Sequence, residues 1–189
     1  RCFCLYAISG CTMNEIIYHI DDEEPDCSYV ELKTPCVIAT VGISGSGKST
    51  WTKQFMETHK DWKVICPDQI RKDLTGNISD QSKNHEVWNL AYERLDKYTC
   101  EQKNILFDST CTNLDTVKRL LRNTENQGIP IYFKIFECNP NTANCRVNAD
   151  ILNGVERSNV PREVIERQYE GFKKVVKWLK DNKKSILTL

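Results

Sequence analysis

No stretch of this chain approaches the roughly 18 consecutive apolar residues that a membrane-spanning helix needs. Charge of either sign is not in excess, because 26 Lys and Arg balance 26 Asp and Glu. A broad basic face, the footprint of proteins that coat long nucleic acids, is therefore not expected. A local basic pocket that grips one nucleic-acid end is compatible with that balance. The three histidines, His19, His59 and His85, have no metal-ligand spacing. Ten cysteines are present but no C-x-x-C pair, which argues against a zinc ribbon. No internal repeat, low-complexity tract or linker divides the chain. Its 189 residues, 40% of them apolar, suggest one domain of ordinary size with a substantial core.

The N-terminal part carries little pattern. Residues 1–12 hold Cys2, Cys4 and Cys11 and read as a non-native extension, with Met13 as the native start. A cleaved signal peptide fits poorly, since the apolar stretch is short and interrupted. The acidic run at 21–26 reads as a solvated loop. Residues 1–34 are expected to form an N-terminal extension and 35–189 the working domain.

From Gly42 to Ser49 the sequence fits G-x-x-x-x-G-K-[ST], the phosphate-binding loop. The apolar run at 36–41 precedes it with the length of a buried strand, and the residues from Thr50 onward read as a helix. Glycines Gly42, Gly45 and Gly47 let the backbone fold closely around phosphates, and N–H groups from Ser44 and Ser46 through Thr50 would point at them. Lys48 would reach the β- and γ-phosphates, and Ser49 would place its hydroxyl on Mg²⁺. ATP or another nucleoside triphosphate, with Mg²⁺, is thus expected. A nucleotide-dependent enzyme belongs in the cytosol, where thiols stay reduced.

Strand and helix patterns alternate after the loop. Strands are expected at 62–66, 104–108 and 131–136, and helices at 84–97 and 113–127, the latter stopped by Gly128 and Pro130. Pro161 marks the start of the last helix, with Ile165, Tyr169, Phe172, Val176 and Leu179 as its apolar face. This order implies an α/β fold, a parallel sheet with helices on both faces. Ligands in such folds sit outside the carboxyl ends of the strands.

Polar residues after each strand are accordingly the candidates. Asp68 follows the second strand and could take a proton from an attacking hydroxyl. Arg71, three residues on, could hold an acceptor phosphate through a bidentate contact. The plain alternative is an N-cap aspartate with an incidental arginine. Asp108 ends the third strand, where it could hold Mg²⁺ or serve as a turn residue. Thr110 and Asn113 are candidates to cap the next helix. Arg146 and Arg157, between the fourth strand and last helix, could close over the triphosphate as a lid, or be surface arginines. The polar stretch at Asp80, Gln81 and Ser82 reads as a loop or a cap.

Taken together, the run from Gly42 to Trp51, the Asp68/Arg71 pair, Asp80-Gln81-Ser82, Phe107-Asp108-Ser109-Thr110 and Arg157 before Val160-Pro161 resemble a known family. It is the kinase domain of phage-type and bacterial polynucleotide 5′-kinase/phosphatase enzymes. The likeness covers roughly residues 35–179. It implies a P-loop kinase-like fold with a lid before the last helix. It also implies transfer of a γ-phosphate, with Mg²⁺, onto a 5′-hydroxyl of RNA or DNA. Asp68 would be the general base, Arg71 the contact to the acceptor's neighbouring phosphate, and Asp108 part of the active-site floor. Arg157 matches a lid arginine, and Arg146 matches less well. Family members usually carry a phosphatase or ligase module, of which no D-x-D-x-T motif is visible here. The stretch 150–154 also interrupts the basic run expected in the lid. A small-metabolite kinase and a nucleotide-binding switch remain alternatives.

Overall fold

The computed structural model describes residues 32–187, so most of the expected N-terminal extension lies outside the described residues. The apolar runs form β1 (Val37–Val41), β2 (Lys63–Ile65), β3 (Ile105–Phe107), β4 (Ile131–Ile135) and β5 (Ile186–Leu187). They make one sheet in the order β2-β3-β1-β4-β5, with every pairing parallel. β1 and β3 are buried along their whole length, whereas β2 exposes Lys63 and Val64 at the edge. That is the pattern of a sheet covered on both faces, with a charged residue marking an edge strand.

Between the strands lie α1 (Lys48–Thr58), α2 (Pro67–Thr75), α3 (Asn84–Cys100), α4 (Leu114–Asn126), α5 (Pro140–Leu152) and α6 (Arg162–Asp181). The two-residue period of the strands sorts the core into two layers. Val37, Ala39 and Val41 face one side with Phe107 and Phe133, against Leu95 of α3, Leu120 of α4 and Leu179 of α6. Ile38 faces the other side with Leu106 and Tyr132, against Phe55 of α1 and Trp62. Full burial of a side chain such as Ile38 contributes about 1.5–3 kcal/mol. The resemblance's fold is the observed one, including a helix and loop placed before the last helix.

Three elements depart from expectation. α2 and α5 form helices where only loop or first-turn character is legible, and β5 adds a fifth strand. In α5 only Ala143 and Val147 are buried, so an apolar period hardly exists. The core face of α6 is Ile165, Phe172, Val175 and Leu179, while Tyr169 and Val176 are half-buried at its margin.

β1 sits mid-sheet with β3 on one side and β4 on the other. The chain first crosses to the β2 edge and later to the β4 side. The carboxyl end of β1 is therefore the point where connections diverge, which is where open α/β sheets place ligands.

Candidate functional site

β1 delivers the loop to that point. Gly42 N–H donates to Thr110 O at 2.9 Å, which ties the loop's first residue to the end of β3. Gly45 has φ 82°, and a Cβ there would stand 2.5 Å from Ala143 O of α5. Gly47, with φ 100°, occupies the N-cap of α1 in the left-handed region. Both conditions exclude ordinary side chains. No side chain caps α1 and no acidic residue lies in its first turn. Its leading N–H groups thus stay available to an anion, and Ser49 and Thr50 are exposed beside them. Ser44 N–H instead donates to Gln168 Oε1 of α6 at 2.8 Å. Ser46 is buried, and its N–H closes a turn on Ile43 O at 3.2 Å. Trp51 packs on Phe55 and Phe136, with ring centroids at 4.9 and 5.6 Å, and so braces α1 against the end of β4.

Lys48 is buried beneath the loop. Its Nζ donates to Gly42 O at 2.9 Å and Ile43 O at 2.8 Å, with Ser46 Oγ at 3.4 Å. Burial lowers its pKa from 10.5 to about 8, against the raising influence of Asp108, Cys111 and Asp68, while Arg157 lowers it further. Asp68, Asp108 and Arg157 therefore all lie within electrostatic reach of this amine.

Asp108 leaves β3 with its N–H bonded to Ile65 O at 2.9 Å. The Thr40 hydroxyl stands 3.3 Å from Asp108 Oδ1 and 2.7 Å from Ser109 O, and accepts Ser109 N–H at 3.0 Å. Burial pushes the Asp108 carboxyl above the usual carboxylate range, and Lys48, Thr52 and Thr40 oppose that rise. Thr110 does not cap α4. Asn113 does, accepting Asp115 N–H at 2.8 Å.

α2 begins at Pro67, which suits a first helical position, with Cys66 as N-cap. Asp68 is accordingly inside the first turn and is not the capping residue. Arg71 is one turn on, and its Nη1 contacts Asp68 Oδ1. The Arg71 side chain is 7% exposed and that of Asp68 55%, so the base candidate is open while the arginine beneath it is enclosed. Arg71 Nη2 also donates to Asn84 Oδ1 at 3.3 Å. Asp80 accepts Ser82 N–H at 2.8 Å in the following loop and does not cap α3, whose N-cap is Lys83.

The two arginines after β4 do approach the loop. Arg146, exposed on α5, has Nη1 3.4 Å from Gly45 O. Arg157 pairs with Asp150 at 2.5 Å. Asp150, an interruption of the basic run in the sequence, is thus the residue that holds Arg157. The segment from 153 to 161 also reaches the α2 side: Glu156 pairs with Lys72 at 2.7 Å, and Ser158 Oγ donates to Ile78 O at 3.1 Å. Asn159 N–H meets Ser79 Oγ at 3.2 Å. The lid segment and the α2–α3 loop therefore meet on the Arg71 side of the site.

A family model for the AAA domain matches residues 37–175. The chain belongs to the AAA domain family. A chain of the Pnkp1/Rnl/Hen1 RNA repair complex matches with a TM-score of 0.68 at 19% identity, over 77% of this chain and 46% of its own. Another from a Pnkp1/Rnl/Hen1 complex matches at 0.54 and 23% identity, over 60% of this chain and 39% of its own. A third, from the PezAT chromosomal toxin–antitoxin system of Streptococcus pneumoniae, matches at 0.63 and 16% identity, over 83% and 67%. This AAA domain chain spans less than half the length of the first two. At such identities the likeness is one of fold. No curated protein matches the sequence.

In this AAA domain, three buried polar side-chain atoms lack a hydrogen-bond partner among the described residues: Thr52 Oγ1, Arg71 Nε and Arg157 Nε. Buried polar atoms are nearly always satisfied, so each needs a reason. Arg71 contacts Asp68, Thr52 adjoins Asp108, and Asp68, Asp108 and Arg157 all act on Lys48, so one site accounts for them. Mg²⁺ takes hard oxygen ligands and keeps several waters, usually with one or two side chains plus phosphate oxygens. The exposed Ser49 hydroxyl and the Asp108 carboxylate are donors of that kind. No group of three or more His, Cys, Asp or Glu among the described residues could cage a metal. This sparse donor set fits an ion held chiefly by phosphates and water.

Thiolate chemistry is disfavoured at the two cysteines nearest the site, because burial pushes the Cys66 thiol up to about 11 and the Cys111 thiol up to about 12. A groove of about 570 Å³ lies between the starts of α5 and α6, lined by Asn139, Asn141, Arg162 and Tyr169 among others. No helix among the described residues is long and apolar enough to cross a membrane.

Proposed function

We propose that this protein is an ATP-dependent kinase acting on the 5′-hydroxyl ends of RNA or DNA. The observation that carries the reading is the Asp68/Arg71 pair. An exposed carboxylate stands beside an enclosed guanidinium with a spare, buried N–H, within the field of Lys48. A hydroxyl flanked by a phosphodiester suits that pair, the hydroxyl at Asp68 and the phosphate at Arg71. The acceptor oxygen bonds to the γ-phosphorus while the bond from that phosphorus to the β-phosphate oxygen breaks. The hydroxyl proton passes to Asp68, and the nucleoside diphosphate leaves.

The chain's own groups supply the rest. The N–H groups of Gly45 and of Gly47 to Thr50 cradle the donor phosphates, and Lys48 turns from the Gly42 and Ile43 carbonyls to the β- and γ-phosphates. Arg157, with Arg146 beside Gly45, places positive charge on the moving group. Ser49 and Asp108 are the proposed Mg²⁺ residues, and the ion when bound neutralises charge developing on the phosphate oxygens. A solved structure of this fold belongs to an RNA repair complex, which makes RNA ends the first acceptors to try. A phosphatase or ligase module in a longer parent protein, and a reducing, cytosolic setting, complete the proposal.

The deciding experiment incubates purified protein with γ-labelled ATP, Mg²⁺ and a panel of acceptors. These are 5′-hydroxyl RNA, 5′-hydroxyl DNA, 3′-phosphorylated nucleosides and common metabolites. Label on a 5′ end is expected, and no transfer to any polynucleotide end would sink the proposal. A small-metabolite kinase is the second reading. It is favoured by the zero net charge and by the lid's contacts with the α2–α3 loop. Transfer to mononucleosides that oligonucleotides fail to inhibit would select it.

A further inference from the structure

Two of the three orphaned buried atoms, Arg71 Nε and Arg157 Nε, are answered by the acceptor and donor phosphates proposed above. The third, Thr52 Oγ1, is not. Threonine inside a helix ordinarily turns its hydroxyl back onto a carbonyl three or four residues earlier. Two other buried threonines here do so: Thr99 donates to Leu95 O at 2.9 Å and Thr124 to Leu120 O at 3.0 Å. Thr52 is 8% exposed and makes no such bond. It stands near enough to the Asp108 carboxyl to help hold that group's pKa down, yet outside hydrogen-bond geometry. A valine would fill the same space without leaving a buried oxygen unpaired, so the hydroxyl is a standing cost to the fold.

Its position gives that cost a purpose. Thr52 lies three residues after Ser49 on α1, so the two share a helix face. Thr40 of β1 approaches Asp108 Oδ1 at 3.3 Å from the sheet. The carboxylate is therefore bracketed by one hydroxyl from α1 and one from β1. We propose that Thr52 is a positioning residue that orients the Asp108 carboxylate to receive hydrated Mg²⁺ with the nucleotide. This rests on the reading of Asp108 as a metal-side residue. Partners of this kind, one step removed from the ion, typically change metal affinity when lost.

The test is ADP binding by calorimetry over a series of Mg²⁺ concentrations, and in EDTA, with melting temperatures of the ligand-free proteins. Thr52→Val is expected to raise the half-saturating Mg²⁺ concentration about 10–100-fold while ADP binding in EDTA stays within about twofold. The same variant should melt at a higher temperature, because the orphan is gone. Thr52→Ser keeps the hydroxyl and should keep the Mg²⁺ response. A wild-type Mg²⁺ response in Thr52→Val overturns the proposal, as does a loss in Thr52→Ser equal to that in Thr52→Val. So does a lower melting temperature for Thr52→Val, since the hydroxyl would then serve the fold. Asp108→Asn separates the two levels. If it too leaves the Mg²⁺ response unchanged, the metal assignment of Asp108 has failed; if it alone weakens the response, only the role of Thr52 has.

Discussion

Alkaline pH is expected to release nucleotide from this protein by discharging Lys48. The amine is buried under the loop, and Asp108 and Asp68 only partly offset the loss of water, so its pKa falls from 10.5 to about 8. About nine-tenths of the ligand-free protein then carries a charged Lys48 at pH 7, and only about one-tenth at pH 9. Bound phosphates favour the charged form and raise that pKa again. Binding must therefore take up a proton above pH 8, and affinity should fall by up to about tenfold per pH unit there. Calorimetry of ADP binding in two buffers of different ionisation enthalpy measures this uptake directly. It should rise from near zero at pH 7 toward about one proton at pH 9. Lys48→Met should bind weakly and without the slope. Zero uptake at pH 9 in the wild type, or an undiminished slope in Lys48→Met, would refute the reasoning.

The same shift has the opposite sign for the ligand-free fold. Between about 8 and 10.5 the unfolded chain holds the Lys48 proton and the folded chain does not. The unfolded state binds more protons, so stability rises with pH in that window. From about pH 8 upward the buried Cys66 and Cys111 thiols work against this, because unfolding returns them to the ordinary value of 9.0 and lets them ionise. From pH 8 to 9 the Lys48 contribution amounts to about 1 kcal/mol, of which the two thiols offset about 0.7 kcal/mol. Nucleotide loosens from pH 8 to 9 while the empty protein nearly keeps its stability, a divergence that general alkaline denaturation does not produce.

Asp68→Asn should lower turnover about 10²–10⁴-fold with little change in ADP affinity, as read by single-turnover kinetics; a loss under about tenfold would remove Asp68 as the base. Gly45→Ala must fit a Cβ 2.5 Å from Ala143 O at φ 82°. It should cost about 1–3 kcal/mol of stability and much of the ADP affinity, and wild-type binding would contradict the loop geometry. The Lys72–Glu156 pair is partly exposed, at 38% and 64% of the side chains. A double-mutant cycle with Lys72→Met and Glu156→Gln should therefore find at most about 1 kcal/mol of coupling in stability. Its larger effect should be on acceptor KM, and a KM unchanged in both variants would separate the bridge from the site.

What was legible in the sequence was the chemistry confined to short spans. The phosphate loop, the strand before it and the helix after it are neighbours in sequence, so their meaning does not depend on distant packing. Helices α3 and α4 were readable because period and burial coincide. α5 was not, because a helix with two buried residues leaves almost no period to see. Asp150 misleads for a related reason: its charge interrupts a basic run, and only the fold shows it paired with Arg157. Gln168 and Ser44 meet across 124 positions, and nothing in an amphipathic helix singles out one glutamine. Thr40 was readable in principle, being the hydroxyl in an otherwise apolar strand.

Residue type and spacing name the groups that could act, whereas burial shows what each costs. Arg71, Arg157 and Thr52 each hold a polar atom out of water with no partner. Such atoms typically cost about 1–3 kcal/mol apiece, and a valine at position 52 would relieve one of them at once. Three of these costs converging on Lys48, Asp68 and Asp108 are hard to explain by packing, which would favour their removal. They follow directly if the partners arrive with the substrates: a phosphate at each arginine, and a hydrated ion that engages Asp108 beside the threonine.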